Sequence, residues 1–280
     1  MASFAGKPRR WSLVDIGFTV AIVVVIVTWA FPFVWMLLGS FKPAERITAN
    51  EFVLFFAPTL DHYREIFVRQ PFGRFLLNSV IVAVSATIIT VTAGSLAAYS
   101  MSRFAAGGRW FELWVLMTRM VPPVVLLIPL FLLFRVLGLI NTLTALVIAD
   151  TTFLLSFVIW IMRSFYDEVP PALDEAAMID GASRIEAFRH VVLPVAVPGL
   201  ITATILTFIF AWNEYLFAIV YATATTSKTL PAAAADFVTG YAINWGPIFA
   251  SGTLIVLPVF VLSVVLQKYI TRGLTLGAVK

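Results

Sequence analysis

The sequence predicts an all-α membrane protein with about six transmembrane helices, and three observations carry that expectation. Of the 280 residues 61% are hydrophobic and only 12% charged, roughly half the charged share of an ordinary soluble domain. Apolar runs of spanning length recur along the chain, and Lys and Arg concentrate in the stretches between them. A chain this apolar cannot cover itself with polar surface, so the excess hydrocarbon must face lipid or partner subunits.

Taken in order, the expected spans are Leu13 to Leu38, Phe75 to Met101, Leu113 to Phe134, Leu143 to Met162, Val195 to Tyr221 and Pro247 to Ile270. Each is close to the roughly 20 residues a helix needs to cross the hydrocarbon with all its backbone groups paired. The second and sixth hold no charged residue except Lys268 at the very end of the sixth; the third carries Arg119 and several prolines, and the fourth carries Asp150. Lys7-Pro8-Arg9-Arg10 before the first run imitates a secretory signal, but the run from Trp11 to Ser40 is too long for a signal core, so it reads as a retained span. The chain divides into a cytoplasmic N-terminal segment 1–12, a membrane domain 13–270 and a cytoplasmic tail 271–280.

An even number of spans puts both termini on one side of the membrane, and basic residues choose the side. Lys7, Arg9, Arg10, Arg103, Arg109, Arg163, Arg184, Arg189, Lys268, Arg272 and Lys280 share it. The opposite set is Lys42, Arg46, Arg64, Arg69, Arg74, Arg135 and Lys228. The balance favours cytoplasmic termini. On the other face, the stretch Phe41 to Arg74, with Pro43, Pro58, Pro71, Asp61, His62, Tyr63 and Arg64, reads as an ordered polar segment lying on the bilayer, either a docking surface or a plain connector.

Several chemistries are absent from the sequence. There is no cysteine. No phosphate-loop pattern occurs, and Ser227-Lys228-Thr229 lacks the glycines of a phosphate cradle, so the chain is not expected to be an ATPase. His62 and His190 are too few and too far apart for a metal site, and no basic block suggests nucleic acid.

The stretch 167–194, between the fourth and fifth expected spans, encodes two short helices meeting at an angle. Pro170 and Pro171 with flanking acids start the first, and Gly181 stops it. Ser183 opens the second with Glu186 at capping-box spacing, and Pro194 is expected to end it. Leu173, Ala176, Ala177 and Ile179 share an apolar side of the first helix, with Asp174, Glu175 and Asp180 supplying negative charge. Ile185, Phe188 and Val192 form a stripe on the second, flanked by Arg184 and Arg189. Such a pair either seats in a groove of another protein or folds against its own spans.

Glu175-Ala176-Ala177, Gly181 and Val191-Val192-Leu193-Pro194 resemble the EAA loop of ABC-importer permeases, whose pattern is E-A-A, three residues, G, nine residues, I-x-L-P. Only Val191 departs from it. Asn78-Ser79, Trp212-Asn213-Glu214-Tyr215 and the ending Gly273 to Lys280 extend the resemblance to the maltose-type, MalG-like carbohydrate permeases. The resemblance implies the type I ABC importer permease fold and a bacterial inner-membrane location. It implies coupling to an ATPase through Asp174, Glu175, Ala176, Ala177, Asp180, Gly181, Arg184, Phe188, Leu193 and Pro194, and a tail, with Gly273, Leu274, Gly277 and Lys280, that reaches the ATPase pair. The implied partners are a second, MalF-like permease subunit, two ATPase subunits that hold ATP and magnesium, and an external solute-binding protein; the subunit itself carries no cofactor.

Polar groups inside spans are costly and mark paths or pairings. Arg119, Asp150, Asn213, Glu214, Tyr215 and Asn78 are therefore candidates for contact with a sugar-like solute, an aromatic ring beside an amide or carboxylate being the usual way to hold a sugar. A structural pairing, such as Arg119 with Asp150 or Glu214, explains the same residues. An ion-coupled secondary transporter using Arg119, Asp150 and Glu214 as a charge relay is the alternative function.

Overall fold

The computed structural model describes residues 12–48, 54–239 and 243–276, with backbone alone for 265–276. Four long apolar helices dominate it: α1 (Leu13–Ser40), α4 (Phe72–Phe104), α7 (Leu143–Glu168) and α14 (Trp245–Leu276). Between the first two lie α2 (Ala44–Ile47) and α3 (Asp61–Arg69), and between the next two α5 (Gly108–Met120) and α6 (Leu127–Val136). After α7 come α8 (Ala172–Ile179), α9 (Arg184–Ala187), α10 (Leu193–Val195) and α11 (Val197–Trp212), then α12 (Ala218–Tyr221) and α13 (Leu230–Ala235). Helices of 26 to 33 residues, such as α1, α4 and α7, are about 40–50 Å long at 1.5 Å per residue, more than the hydrocarbon thickness of about 30 Å.

The two remaining expected spans are bent. The third breaks between Met120 and Pro123, where α5 meets a short 3₁₀ turn leading into α6 at 92°. The cause is local: Pro122 and Pro123 supply no backbone N–H to the preceding turn, and Pro123 disfavours helical geometry at Pro122, which sits at ψ 133°. The fifth bends by 80° at Ala196, just before Pro198. It also ends at Trp212 rather than Tyr221, because Asn213 to Phe217 turn before α12 begins.

The bundle is centred on α4, α7 and α11. Gly94 of α4 lets α7 approach so closely that a Cβ there would lie 2.7 Å from Val158. One core gathers Tyr99, Met162, Tyr166, Phe188 and Val192 at the end carrying α8. Another gathers Phe72, Phe75, Trp212, Leu230 and Phe237 at the opposite end, where Trp212 donates from Nε1 to the Ile255 carbonyl at 2.9 Å. The helix α1 stands apart: it packs along α14, and only Gly39 and Ser40 of its residues are buried. Its apolar surface is left for lipid or a partner helix.

The segment expected to lie on the bilayer is partly drawn into the bundle. The ring of His62 is buried with Nε2 2.8 Å from the Lys42 carbonyl, and the Tyr63 hydroxyl donates to Ser40 Oγ at 2.8 Å. Helix α3 thereby fastens the far end of α1 and packs on α14.

Candidate functional site

The hairpin of α8 and α9 forms where its local chemistry dictates. Gly181 adopts φ +95°, a left-handed conformation open to glycine at little cost, and ends the first arm. Ser183 then caps α9: its Oγ accepts from the Glu186 N–H at 3.3 Å, and the Glu186 carboxylate accepts from the Ser183 N–H at 2.8 Å. The Ser183 backbone N–H first, and the Ser183 side chain after it, hold the Glu186 carboxyl below its ordinary range. The helix does not stop at Pro194: a π turn over Phe188–Val192 runs into α10, with Pro194 inside its first turn, where a missing N–H is harmless.

What faces inward on the hairpin reverses part of the pattern expected from sequence. Asp174 is buried, while Leu173, Met178 and Ile179 on the same arm are exposed. The Asp174 carboxylate accepts from the Tyr99 hydroxyl at 2.7 Å and from Arg103 Nε at 2.6 Å, and Arg103 Nη2 donates to the Val169 carbonyl at 2.7 Å. Both side chains of this ion pair are 7% exposed, so it is a dry joint between α8 and the end of α4. Asp174 therefore belongs to the attachment of the hairpin and not to its free surface. On the second arm the expected stripe splits: Phe188 and Val192 are buried, and Ile185 is 77% exposed.

Phe188 wedges between Tyr99 and Tyr166, with ring centroids 4.6 and 6.1 Å away. Arg184 lies over the Phe104 ring at 4.7 Å. A second network ties the neighbouring helix ends: Ser102 Oγ donates to Asp167 at 2.5 Å, Arg163 sits 3.5 Å from Asp167, and Arg163 also pairs with Glu112 of α5. What remains outside is an apolar and charged surface of Glu175, Ala176, Asp180 and Ile179 at 85% exposure on the first arm, with Arg184, Ile185, Glu186 and Arg189 on the second. Tyr99 and Arg103, which root the hairpin, escaped sequence reasoning; Arg103 counted there only as a positive charge near a span end.

The polar groups within the spans separate into two sets. Asn78 donates to the carbonyls of Thr226 and Lys228 at 3.1 and 2.9 Å and so holds a loop. Glu214 accepts from the N–H groups of Phe217 and Ala218 at 2.6 and 3.1 Å, capping α12. Asp150 is buried with Oδ2 unpaired among the described residues. Neither acid pairs with Arg119, whose guanidinium stacks on Phe157 at 5.1 Å; the expected ion pair does not form. Arg119, Asn213 and Tyr215 keep exposed side chains. Among the described residues no group of three or more His, Asp or Glu side chains is set to hold a metal ion. In the tail, Gly273 and Leu274 continue the backbone of α14, and Gly277 and Lys280 lie outside the described residues.

A bundle of apolar spans with a rooted, outward-facing amphipathic hairpin at one end defines a class: a multi-pass membrane protein. The chain belongs to the family of binding-protein-dependent transport system inner membrane components, whose family model matches residues 90–276. It is 36% identical over 99% of its length to the sulfoquinovosyl glycerol transport system permease protein SmoH of Agrobacterium fabrum, covering 95% of that protein. It is likewise 36% identical over 89% of its length to the trehalose/maltose transport system permease protein MalG of Thermococcus litoralis, covering 91% of it. The fold is that of a bacterial ABC transporter involved in alginate import, with a TM-score of 0.78 at 22% identity over 94% of this chain and 99% of the other. This is the type I ABC importer permease fold, and the chain is a multi-pass inner-membrane permease subunit, a membrane component and not the ATPase.

Proposed function

We propose that this permease forms half of the translocation path for a sugar or sugar-like solute and is driven by ATP hydrolysed in partner subunits. The observation that carries the reading is the hairpin 167–194: its inner side is welded to α4 by the dry Tyr99–Asp174–Arg103 joint, and its outer side presents Ile179 and Ile185 among charged residues of both signs. A lever needs both features. A partner pushes on the exposed side, and the joint transmits the displacement to a helix that lines the bundle core, because a packed element moves as a unit.

In this reading the residues that meet the ATPase are Glu175, Ala176, Ala177, Asp180, Gly181 and Ile185, with Asp174, Phe188, Leu193 and Pro194 holding their frame and Arg184 bracing α9 against Phe104. The termini and the hairpin lie in the cytoplasm, and α2 and α3 face outward. The full machine contains two ATPase subunits, which hold ATP and magnesium, a second, MalF-like permease and an external solute-binding protein; one structural neighbour was solved with an alginate pentasaccharide-bound periplasmic protein. Support for a carbohydrate cargo is the naming of relatives for trehalose, maltose and sulfoquinovosyl glycerol transport. Arg119, Asn213 and Tyr215 are the exposed polar groups of the spans that suit contact with it.

The test is reconstitution of the permease with its ATPase in proteoliposomes. Changing Glu175 and Gly181 together is expected to abolish binding-protein-stimulated ATP hydrolysis and uptake; stimulation retained in that double variant contradicts the reading.

A further inference from the structure

At the end of the bundle opposite α8, a cavity of about 210 Å³ lies between the close of α1, helix α2 and the start of α14. Among the described residues its walls are Trp35, Gly39, Ile47, Trp245 and Phe249, with Lys42 the one charged lining residue. Gly39 keeps the space narrow on one side, since a Cβ there would run into the Phe249 ring. Lys42 is 5% exposed and, among the described residues, forms no ion pair. Its Nζ lies 4.8 Å from the centroid of the Trp35 ring and 5.4 Å from that of Phe56.

A lysine at a membrane boundary ordinarily extends its ammonium into water. This one is turned inward, and the turn that carries it is pinned by the His62 and Tyr63 bonds to Lys42 and Ser40. Ring faces attract a cation but supply no counter-charge, and an anion in the adjoining space would supply one. With about 30 Å³ for each water in the liquid, the cavity also has room for more than a bare ion, and the aromatic walls Trp245 and Phe249 suit the C–H surface of a ring or a glycerol body.

We propose that the Trp35–Lys42–Trp245 cavity binds an anionic group (phosphate, sulfonate or carboxylate) carried on a small sugar-like or glycerol body. The bearer is either a soluble anionic glycoside or an outer-leaflet lipid headgroup. The site rests on the placement of the bundle in the membrane and is independent of the coupling assigned to the hairpin, so the two fail separately.

The experiment uses the full chain in phosphatidylcholine nanodiscs, followed by tryptophan fluorescence, with Trp245→Phe identifying the local contribution. Soluble probes are glycerol 3-phosphate and glucuronate, with glucose as the neutral control, and parallel nanodiscs contain phosphatidylglycerol. Saturable change with the soluble anions supports the glycoside arm. Change only with phosphatidylglycerol supports the headgroup arm. In either case Lys42→Met, which keeps the apolar stem, is expected to weaken binding about tenfold or more, as loss of a charged hydrogen bond does, while Lys42→Arg retains it. Equal binding of glucose and glucuronate, unchanged binding in Lys42→Met, or no response to any anionic probe overturns the proposal.

Discussion

Gly181 has open space where a Cβ would stand, yet its φ is +95°. Substitution by alanine therefore acts through the backbone alone, and Gly181→Ala is expected to destabilise the hairpin by about 1–2 kcal/mol, the scale of a left-handed L-residue. Two residues on, Ser183→Ala removes the cap and is expected to cost about 1 kcal/mol. Amide exchange at residues 184–187 measures both. Because bonds to Ser183 hold the Glu186 carboxyl below its ordinary range, the stabilisation it confers is complete above the unfolded value and disappears as pH falls through the folded one. Protection of α9 should thus decline on acidification in the parent protein and show little such decline in Glu186→Gln, which carries no carboxyl to titrate, while Ser183→Ala, which keeps the backbone N–H, retains part of it. The joint is the stronger case. Asp174→Leu leaves Arg103 buried without its anion, and removing one partner of a buried pair costs about 3–5 kcal/mol; adding Arg103→Met is expected to recover much of the unfolding midpoint in detergent without restoring coupled ATP hydrolysis.

At the level of elements, the contact between α4 and α7 depends on one missing side chain. Gly94→Val places methyl groups against Val158, and overpacking of that kind is expected to destabilise by about 1–3 kcal/mol, whereas Gly73→Ala, with nothing within 4 Å, should leave the thermal midpoint in detergent unlowered. The same elements show what is legible from sequence and why. The long helices, the stop at Gly181 and the cap at Ser183 follow from apolar run length and from backbone chemistry within four residues, which a sequence displays directly. The 92° break after Met120 was signalled by Pro122 and Pro123, yet hydropathy averaged over a span does not register direction. Trp212 ends α11 early because Glu214 spends its carboxylate on the N–H groups of Phe217 and Ala218, a local cap that looks like a lone acid in an apolar run. The inward aspect of Asp174 and the loop-holding amide of Asn78 depend on partners 71 and about 150 residues away, and a single sequence carries no record of such pairings.

Over the whole molecule, among the described residues, the apolar surfaces left exposed include the outer face of α1 and the outer side of the hairpin. Lipid or a partner helix suits the first, but Ile179 and Ile185 sit among Glu175, Asp180 and Arg184, a mixture suited to a protein groove. Replacing both isoleucines by aspartate is expected to leave the unfolding midpoint within about 0.5 kcal/mol, as for surface substitutions generally, while abolishing co-purification with the ATPase. The chain contains no cysteine, so a single Ile185→Cys reports one position without background. In the intact assembly reconstituted with its ATPase, a short thiol crosslinker at that residue is predicted to capture the ATPase subunit, with a yield that changes between nucleotide-free and ATP-bound states. Labelling of Ile185→Cys from outside the cell, or absence of any crosslinked ATPase in an assembly that hydrolyses ATP, contradicts the account.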